Sequence, residues 1–437
     1  MQHTRQTRRA LTIWAIALLV YLAAVFHRTS LAVASLEAGE RFGLGPAALG
    51  IFTVLQIGVY ALMQVPTGLL VDRYGPRRVL TVAAALLGLG QILFAFATSY
   101  PLGLFARAVL GVGDAMTFVS VLRLVAAHFP ARRYAALAAT TGALGALGNL
   151  VSTLPLAVLL ESVGWTTTFA VTGAATAAYA IVLALRIRDN PAGVTVERRP
   201  ESLRAVLGQV RHAWGTPGTR LGFWVHFSTM SAPVMLGLLW GFPYLVRAQG
   251  LSTAAAGMLL AVLVLGAIVG GPAIGATISR WPECRTPLVV GYVLAALGVW
   301  AVLLGWPGGR VPVGVLIAGF AVLSVGGPAS SIGFALARDY NPLRRVGTAT
   351  GVVNVGGFVA ITVSALAVGL LLSAFDALGP RTAFRLALLS VVAVLLLGLW
   401  RTSVWWRRAR AAVFDAAARG EDVPVRLRRR SWDLASA

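Results

Sequence analysis

The stretch GLLVDRYGPRR, Gly68 to Arg78, ends a long apolar segment in an acid, a guanidinium, a Gly-Pro pair and two more guanidiniums. Glycine reaches backbone angles closed to other residues and proline presets one, so Gly75-Pro76 predicts a tight turn. The turn leaves Arg77 and Arg78 for a polar layer. Gly68, with no side chain, lets a second helix come close. A segment that is apolar for a full span and then abruptly basic belongs at a boundary between hydrocarbon and water.

The rest of the chain has the same character. Of 437 residues, 58% are hydrophobic and 12% charged, and the mean hydropathy is +0.80. That is too apolar for a soluble protein of this length and marks a membrane protein. A bilayer core of about 30 Å is crossed by roughly 20 apolar helical residues. Twelve such spans can be placed, beginning near 11–36 and 47–71, passing through 134–160 and 165–186, and ending near 346–373 and 382–401. The apolar run after TRRA is too long for a cleaved signal peptide, so the first span is read as retained.

A formal charge of +22 would point to nucleic acid in a soluble protein. Here its distribution points to topology instead, and no nucleic-acid partner is expected. Every basic residue is arginine. Arg5, Arg8 and Arg9, then Arg73, Arg77 and Arg78, Arg132 and Arg133, Arg186 through Arg220, Arg280 and Arg285, Arg344 and Arg345, and the tail fall on one side of the twelve spans. Arg41, Arg247, Arg310 and Arg381 fall on the other. By the positive-inside rule both termini and the central loop are cytoplasmic, in the inner membrane of a bacterium. The tail, WWRRARAAVFDAAARGEDVPVRLRRR, reads as a segment lying on anionic lipid headgroups. The single cysteine, Cys284, cannot form an intrachain disulfide. The five histidines are scattered with no metal-ligand spacing, and no nucleophile or phosphate-loop motif occurs. No cofactor, no metal and no enzymatic activity are expected.

The chain also repeats itself. GLGPAALG (Gly43–Gly50) recurs as GLSTAAAG (Gly250–Gly257), and the same displacement carries Gly68 onto Gly275, Arg73 onto Arg280 and Arg78 onto Arg285. PARR (Pro130–Arg133) recurs as PLRR (Pro342–Arg345). Two duplicated six-helix halves are the plan of many secondary transporters, with the substrate site at the repeat interface near the bilayer midplane. The expected organisation is an N-terminal bundle over 1–186, a cytoplasmic linker over 187–218, a C-terminal bundle over 219–401 and a basic tail over 402–437.

GLLVDRYGPRR resembles the signature loop between the second and third spans of the major facilitator superfamily. GATISRWPECR (Gly275–Arg285) resembles its weaker copy in the second half, and RAVLGVG (Arg107–Gly113) the fourth-span signature. The resemblance covers about residues 11–401 and implies an all-α membrane protein of twelve helices in two pseudo-symmetric bundles. It also implies that Gly68, Asp72, Arg73, Gly75, Arg77 and Arg78 form a conformational latch on the outward-open state. Asp72 would face the start of the eleventh span, GTATG (Gly347–Gly351), where an acid at a helix N-terminus gains about 0.3–1 kcal/mol. Ser279 stands where the second copy would carry the acid, so only the first copy is expected to latch.

Ionisable residues inside the membrane should face a cavity and have a function. The first span carries His27 and Arg28, and the fourth Arg107, Asp114 and Arg123. Arg107, Gly111 and Asp114 are spaced to share one helix face. Arg28 and Arg107 come to similar depths, with Asp114 about 10 Å deeper, and two guanidiniums at one depth suit an anion. The sequence RAVLGVGDAMTFVSVLRLVAAHFP is similar to the fourth helix of the superfamily's organic anion symporters. That likeness implies Arg28 for the anion, Asp114 for the proton and Arg107 as their electrostatic partner. His27, where that branch has an acid or tyrosine, and MTFVS after the acid depart from its pattern. In the superfamily the first, fourth, seventh and tenth spans line the cavity, which adds His27, Trp240, Tyr244 and Ser331 as substrate-contact candidates.

The expected function is a monomeric secondary transporter that moves a small solute, an organic or inorganic anion, by proton-coupled alternating access. An anion that occupies the guanidiniums releases their hold on Asp114, so anion and proton load together. Two alternatives remain: a proton-driven exporter of drugs or metabolites, and a non-transporting membrane receptor. Helix 5 lacks the Gly-Pro-x-x-Gly-Gly run of drug/proton antiporters, and neither terminus is long enough for a soluble output domain.

Overall fold

The computed structural model describes residues 2–44, 46–151, 154–191, 203–421 and 427. Residues 192–202 of the expected linker, and 422–426 and 428–437 of the expected tail, lie outside the described residues. Helices account for nearly all of the described chain. They are α1 (Gln2–Val33), α2 (Ser35–Phe42), α3 (Pro46–Tyr74), α4 (Pro76–Phe96), α5 (Tyr100–His128), α6 (Ala131–Val151), α7 (Leu154–Arg186) and α8 (Leu203–Gly215). Then follow α9 (Pro217–Met235), α10 (Gly241–Pro243), α11 (Thr253–Arg280), α12 (Arg285–Gly305), α13 (Val313–Ser324), α14 (Gly326–Asp339), α15 (Val346–Ala374) and α16 (Pro380–Ala418).

Among the described residues, eleven helices are long and apolar enough to cross a membrane. The expected fifth span, 134–160, runs over α6 and the start of α7, and their junction at 152–153 lies outside the described residues. α7 then reverses at Gly164, whose φ of 73° and ψ of 174° belong to no helix, so the expected fifth and sixth spans meet inside it. The turn that opened the sequence reading is present: Gly75 adopts φ 85°, a value L side chains rarely take, and Pro76 begins α4 where no backbone N–H is needed.

The chain folds into two compact units. One comprises Met1–Pro130, Leu144–Arg211 and Pro342–Val352; the other comprises Ala131–Ala143, His212–Asn341 and Val353–Ala437. The start of α15 therefore belongs with the first unit and the start of α6 with the second.

In the first unit small residues let α4 and α5 pack closely. A Cβ on Gly113 would stand 2.8 Å from the Ala83 carbonyl oxygen of α4, and one on Gly111 3.0 Å from the Gln56 carbonyl oxygen of α3, which explains the glycines of VLGVG on physical grounds. One apolar cluster joins Ala17, Val20 and Ala24 of α1 to Leu80 and Leu87 of α4, Leu110 and Leu124 of α5, and Leu183 of α7. A second is aromatic: Phe94 meets Trp165 at 5.1 Å, Phe169 at 5.7 Å and Phe52 at 5.7 Å between ring centroids. Such tilted and edge-to-face pairs add about 0.5–1.5 kcal/mol each beyond their burial, and they fix the Phe94 ring on which Arg107 of α5 rests. In the second unit Phe227 packs with Ala360 and Val394.

Candidate functional site

α1 and α5 bring the first-unit candidates together. Arg28 Nε donates to Asp114 Oδ2 at 2.7 Å and Arg28 Nη2 donates to Asp114 Oδ1 at 2.7 Å. This is the planar two-bond pairing that a guanidinium makes with a carboxylate. The Asp114 side chain is wholly buried, whereas that of Arg28 is 28% exposed, so the pair has one face from which it can be reached. The Arg28 guanidinium also lies over the Tyr60 ring at 4.8 Å.

Arg107 is bonded to backbone carbonyls of α1. It is fully buried, donates from Nη1 to the His27 carbonyl at 3.2 Å and from Nη2 to the Arg28 carbonyl at 3.1 Å, and rests over the Phe94 ring at 5.3 Å. Arg107 and Asp114 sit about 10 Å apart along one helix, while the long Arg28 side chain reaches Asp114 from α1. Arg28 therefore takes the acid, and Arg107 ties α5 to the backbone of α1. Of the two guanidiniums, Arg28 keeps exposed surface and Arg107 has none.

His27 bonds to a different helix from Arg28. Its ring is buried and its Nε2 lies 2.8 Å from the Thr176 hydroxyl on α7. Successive helical residues point about 100° apart, so His27 and Arg28 face different neighbours. The second-unit candidates bond within that unit. Trp240 Nε1 donates to the Ala365 carbonyl at 2.9 Å. The Tyr244 hydroxyl accepts from Gln249 Nε2 at 3.1 Å. Ser331 Oγ donates to the Pro328 carbonyl of its own helix at 2.7 Å. Trp240 and Tyr244 sit on two wide turns, Leu236–Trp240 and Tyr244–Ala248, either side of α10. Wide turns of this kind collect at functional sites.

Sequence reasoning missed Tyr60 and Thr176. The signal for Tyr60 was a polar stripe on α3: Gln56, Tyr60, Gln64 and Thr67 recur at helical spacing in an otherwise apolar span, and all are buried.

The second constellation is the loop signature. Asp72 Oδ1 accepts from the Gly347 amide at 2.9 Å, and Oδ2 accepts from the Thr348 amide at 2.7 Å and the Thr348 hydroxyl at 2.8 Å. These amides open α15 and have no partner within their own helix. Arg123 of α5 lies 3.6 Å from Asp72. Gly68 makes the contact possible, since a Cβ there would stand 2.8 Å from the Thr348 Cα. Arg73, Arg77 and Arg78 are exposed, with Arg73 over the Tyr74 ring at 5.0 Å. The Arg77 amide, at the start of α4, donates to Asp189 at 2.7 Å.

The second copy of the loop is not inert. Ser279 Oγ accepts from the Ala136 amide at 3.0 Å, and a Cβ on Gly275 would stand 2.9 Å from the Ala136 Cα. A hydroxyl oxygen is an acceptor as a carboxylate is, with room for fewer donors and no charge. The second copy thus makes one neutral hydrogen bond where the first makes three to a carboxylate. In place of a loop acid, this half has Arg285 of α12 bonded to Asp339 of α14.

The Major Facilitator Superfamily profile matches residues 15–308 and 227–434, and the chain belongs to that superfamily: it is a multi-pass membrane transporter and not an enzyme. Among curated proteins it is similar to a probable galactarate/D-glucarate transporter of Escherichia coli (strain K12), with 25% identity over 82% of this chain and 87% of that one. It is likewise similar to a D-galactonate transporter of Escherichia coli O6:H1, with 25% identity over 90% and 94%. A probable sulfoacetate transporter of Cupriavidus necator is 28% identical over 40% of each chain. Among solved structures, a proton:xylose symporter of the same superfamily aligns with a TM-score of 0.65 at 14% identity, over 90% of this chain and 96% of that one. At that identity the likeness shows the fold.

Proposed function

We propose that this transporter carries a small organic anion across the cytoplasmic membrane by alternating access, driven by protons. The observation that carries the reading is the Arg28–Asp114 pair, a two-bond ion pair with a buried acid and a partly exposed base. An incoming carboxylate competes with Asp114 for the same two nitrogens. A displaced acid with no exposed surface is costly as a bare charge and takes up a proton instead. Anion and proton then occupy the site together, and loss of the proton restores the internal pair and expels the anion. Arg107 holds α1 and α5 in register, and Tyr60 aims the Arg28 guanidinium.

The relatives support an anionic substrate, because the names of those transporters are all those of carriers of acids: galactarate and D-glucarate, D-galactonate and sulfoacetate. Asp72, Gly68 and the start of α15 act as the latch that holds one state, with Arg73, Arg77 and Arg78 at the inner headgroup layer. The two bundles are residues 1–186 and 219–401, with the linker, the tail and both termini on the cytoplasmic side. The test is uptake into proteoliposomes of galactarate, D-glucarate and D-galactonate under an inward proton gradient. Accumulation by the wild type and none by Arg28→Ala is the expected result. Transport of cationic drugs and of none of these acids overturns it.

A further inference from the structure

We propose that the basic end of α16, with Arg220 of α9, forms a binding site for the headgroup of an anionic phospholipid. The first observation is length. α16 has 39 residues and is therefore about 58 Å long at about 1.5 Å per residue, roughly twice the hydrocarbon core. Its uncharged stretch runs between Arg385 and Arg401, about 24 Å, which spans the core when both arginines extend toward the polar layers. Arg401 thus marks one edge of the hydrocarbon. Trp400 beside it is 60% exposed, at the level where indoles collect at a membrane surface.

The second observation is a stack of guanidiniums on indoles just beyond that edge. Arg220 lies between Trp214 and Trp405, at 5.1 Å and 4.6 Å from their rings. Arg401 covers Trp224 at 5.0 Å and Trp400 at 5.4 Å. Arg408 covers Trp405 at 4.7 Å. Arg401, Trp405 and Arg408 follow at i, i+4 and i+7, so they share one helix face. Trp405 sits about 6 Å beyond Arg401 along the axis, within the headgroup layer of about 5–8 Å on each side of the core.

Stacking holds the Arg401 and Arg408 guanidiniums by their flat faces and leaves their N–H edges for a planar acceptor, the arrangement that recognises phosphate, whereas Arg220 spends its Nε on the Trp214 carbonyl and offers its remaining N–H groups. Among the described residues, no acid pairs with Arg401 or Arg408. A phospholipid satisfies both halves of this surface. Its phosphate meets the arginines and its acyl chains lie along Leu397, 42% exposed and four residues before Arg401 on the same helix face. A free phosphate would use only the first half.

The test uses the full-length protein in neutral detergent and counts bound lipid by native mass spectrometry, with phosphatidylglycerol and phosphatidylcholine of equal chain length. The wild type should retain phosphatidylglycerol preferentially. Arg401→Gln with Arg408→Gln should weaken that binding by roughly five-fold per arginine removed, while Arg401→Lys with Arg408→Lys, which keeps the charge and loses the stacked planar fork, should recover only part of it. Equal retention of the two lipids by the wild type, or undiminished phosphatidylglycerol binding in the glutamine variant, overturns the proposal. Displacement of the lipid by inorganic phosphate at matched concentration also overturns it, because the surface is then a site for small anions. Lipid counting on the wild type stands apart from any uptake measurement, so a failed transport reading leaves it intact.

Discussion

Arg28 on α1 closes Nε and Nη2 on the two oxygens of Asp114 on α5, at 2.7 Å each. Of the two partners only the arginine retains exposed surface. The pair is therefore both a structural bond between two helices and the one place where the buried acid can be approached through its base.

Removing Arg28 alone should strand a buried carboxylate. Arg28→Ala is expected to cost about 3–5 kcal/mol, and Arg28→Ala with Asp114→Ala should recover part of it, giving a coupling above about 1 kcal/mol in a double-mutant cycle read by thermal unfolding. Additive losses would show that the pair is not what holds α1 to α5.

Asp114→Asn separates binding from coupling. The amide keeps the shape and gives up the exchangeable charge, so substrate exchange across equilibrated proteoliposomes should persist while accumulation under a proton gradient falls at least ten-fold. Unchanged accumulation would remove Asp114 from the proton path.

The two loop copies should differ in strength. Asp72→Ala removes the acceptor of three hydrogen bonds and the charge beside Arg123, at about 3 kcal/mol. Ser279→Ala removes the acceptor of one, at about 1 kcal/mol. Melting temperatures of the two variants, measured in one detergent, should rank in that order.

Two glycine substitutions should move stability in opposite directions. Gly68→Ala would place a Cβ 2.8 Å from the Thr348 Cα, against backbone that cannot turn aside, and should cost about 1–3 kcal/mol with loss of uptake. Gly142→Ala, in α6 with nothing within 4 Å of its new Cβ, should stabilise by about 0.5–1 kcal/mol.

Tyr340 follows α14 outside the spans, and burial pushes its phenol up to about 12. A raised acid favours the neutral form in the folded state. Its contribution is full below about pH 10, the ordinary tyrosine value, and is lost as pH rises through about 12. Thermal unfolding of Tyr340→Phe should show a smaller alkaline decline than that of the wild type.

The loop signature shows how far the sequence reads. Gly75-Pro76 requires a turn whatever surrounds it, and Asp72 near GTATG was legible because a carboxylate and a row of helix-start amides are complementary wherever they meet. The Ser279 contact was not legible for the opposite reason: a serine carries no sign of its partner until Ala136 is beside it. Arg107 shows the same limit. Helical spacing put it on a face with Asp114, but which of two arginines takes the acid depends on the separation of α1 and α5, which no spacing within one helix contains.

By itself the sequence determined the class of the protein. Span lengths are set by bilayer thickness and the family by short motifs such as GLLVDRYGPRR, and each of these is a property of one segment. Only the tertiary structure decided which charges meet. It paired Arg28 with Asp114, turned His27 to Thr176, gave Arg107 to the backbone of α1, and stacked Arg220 between Trp214 and Trp405. Side-chain partners across a helix interface depend on distances of a few ångströms between segments far apart in the chain, and those distances exist only after the helices have packed.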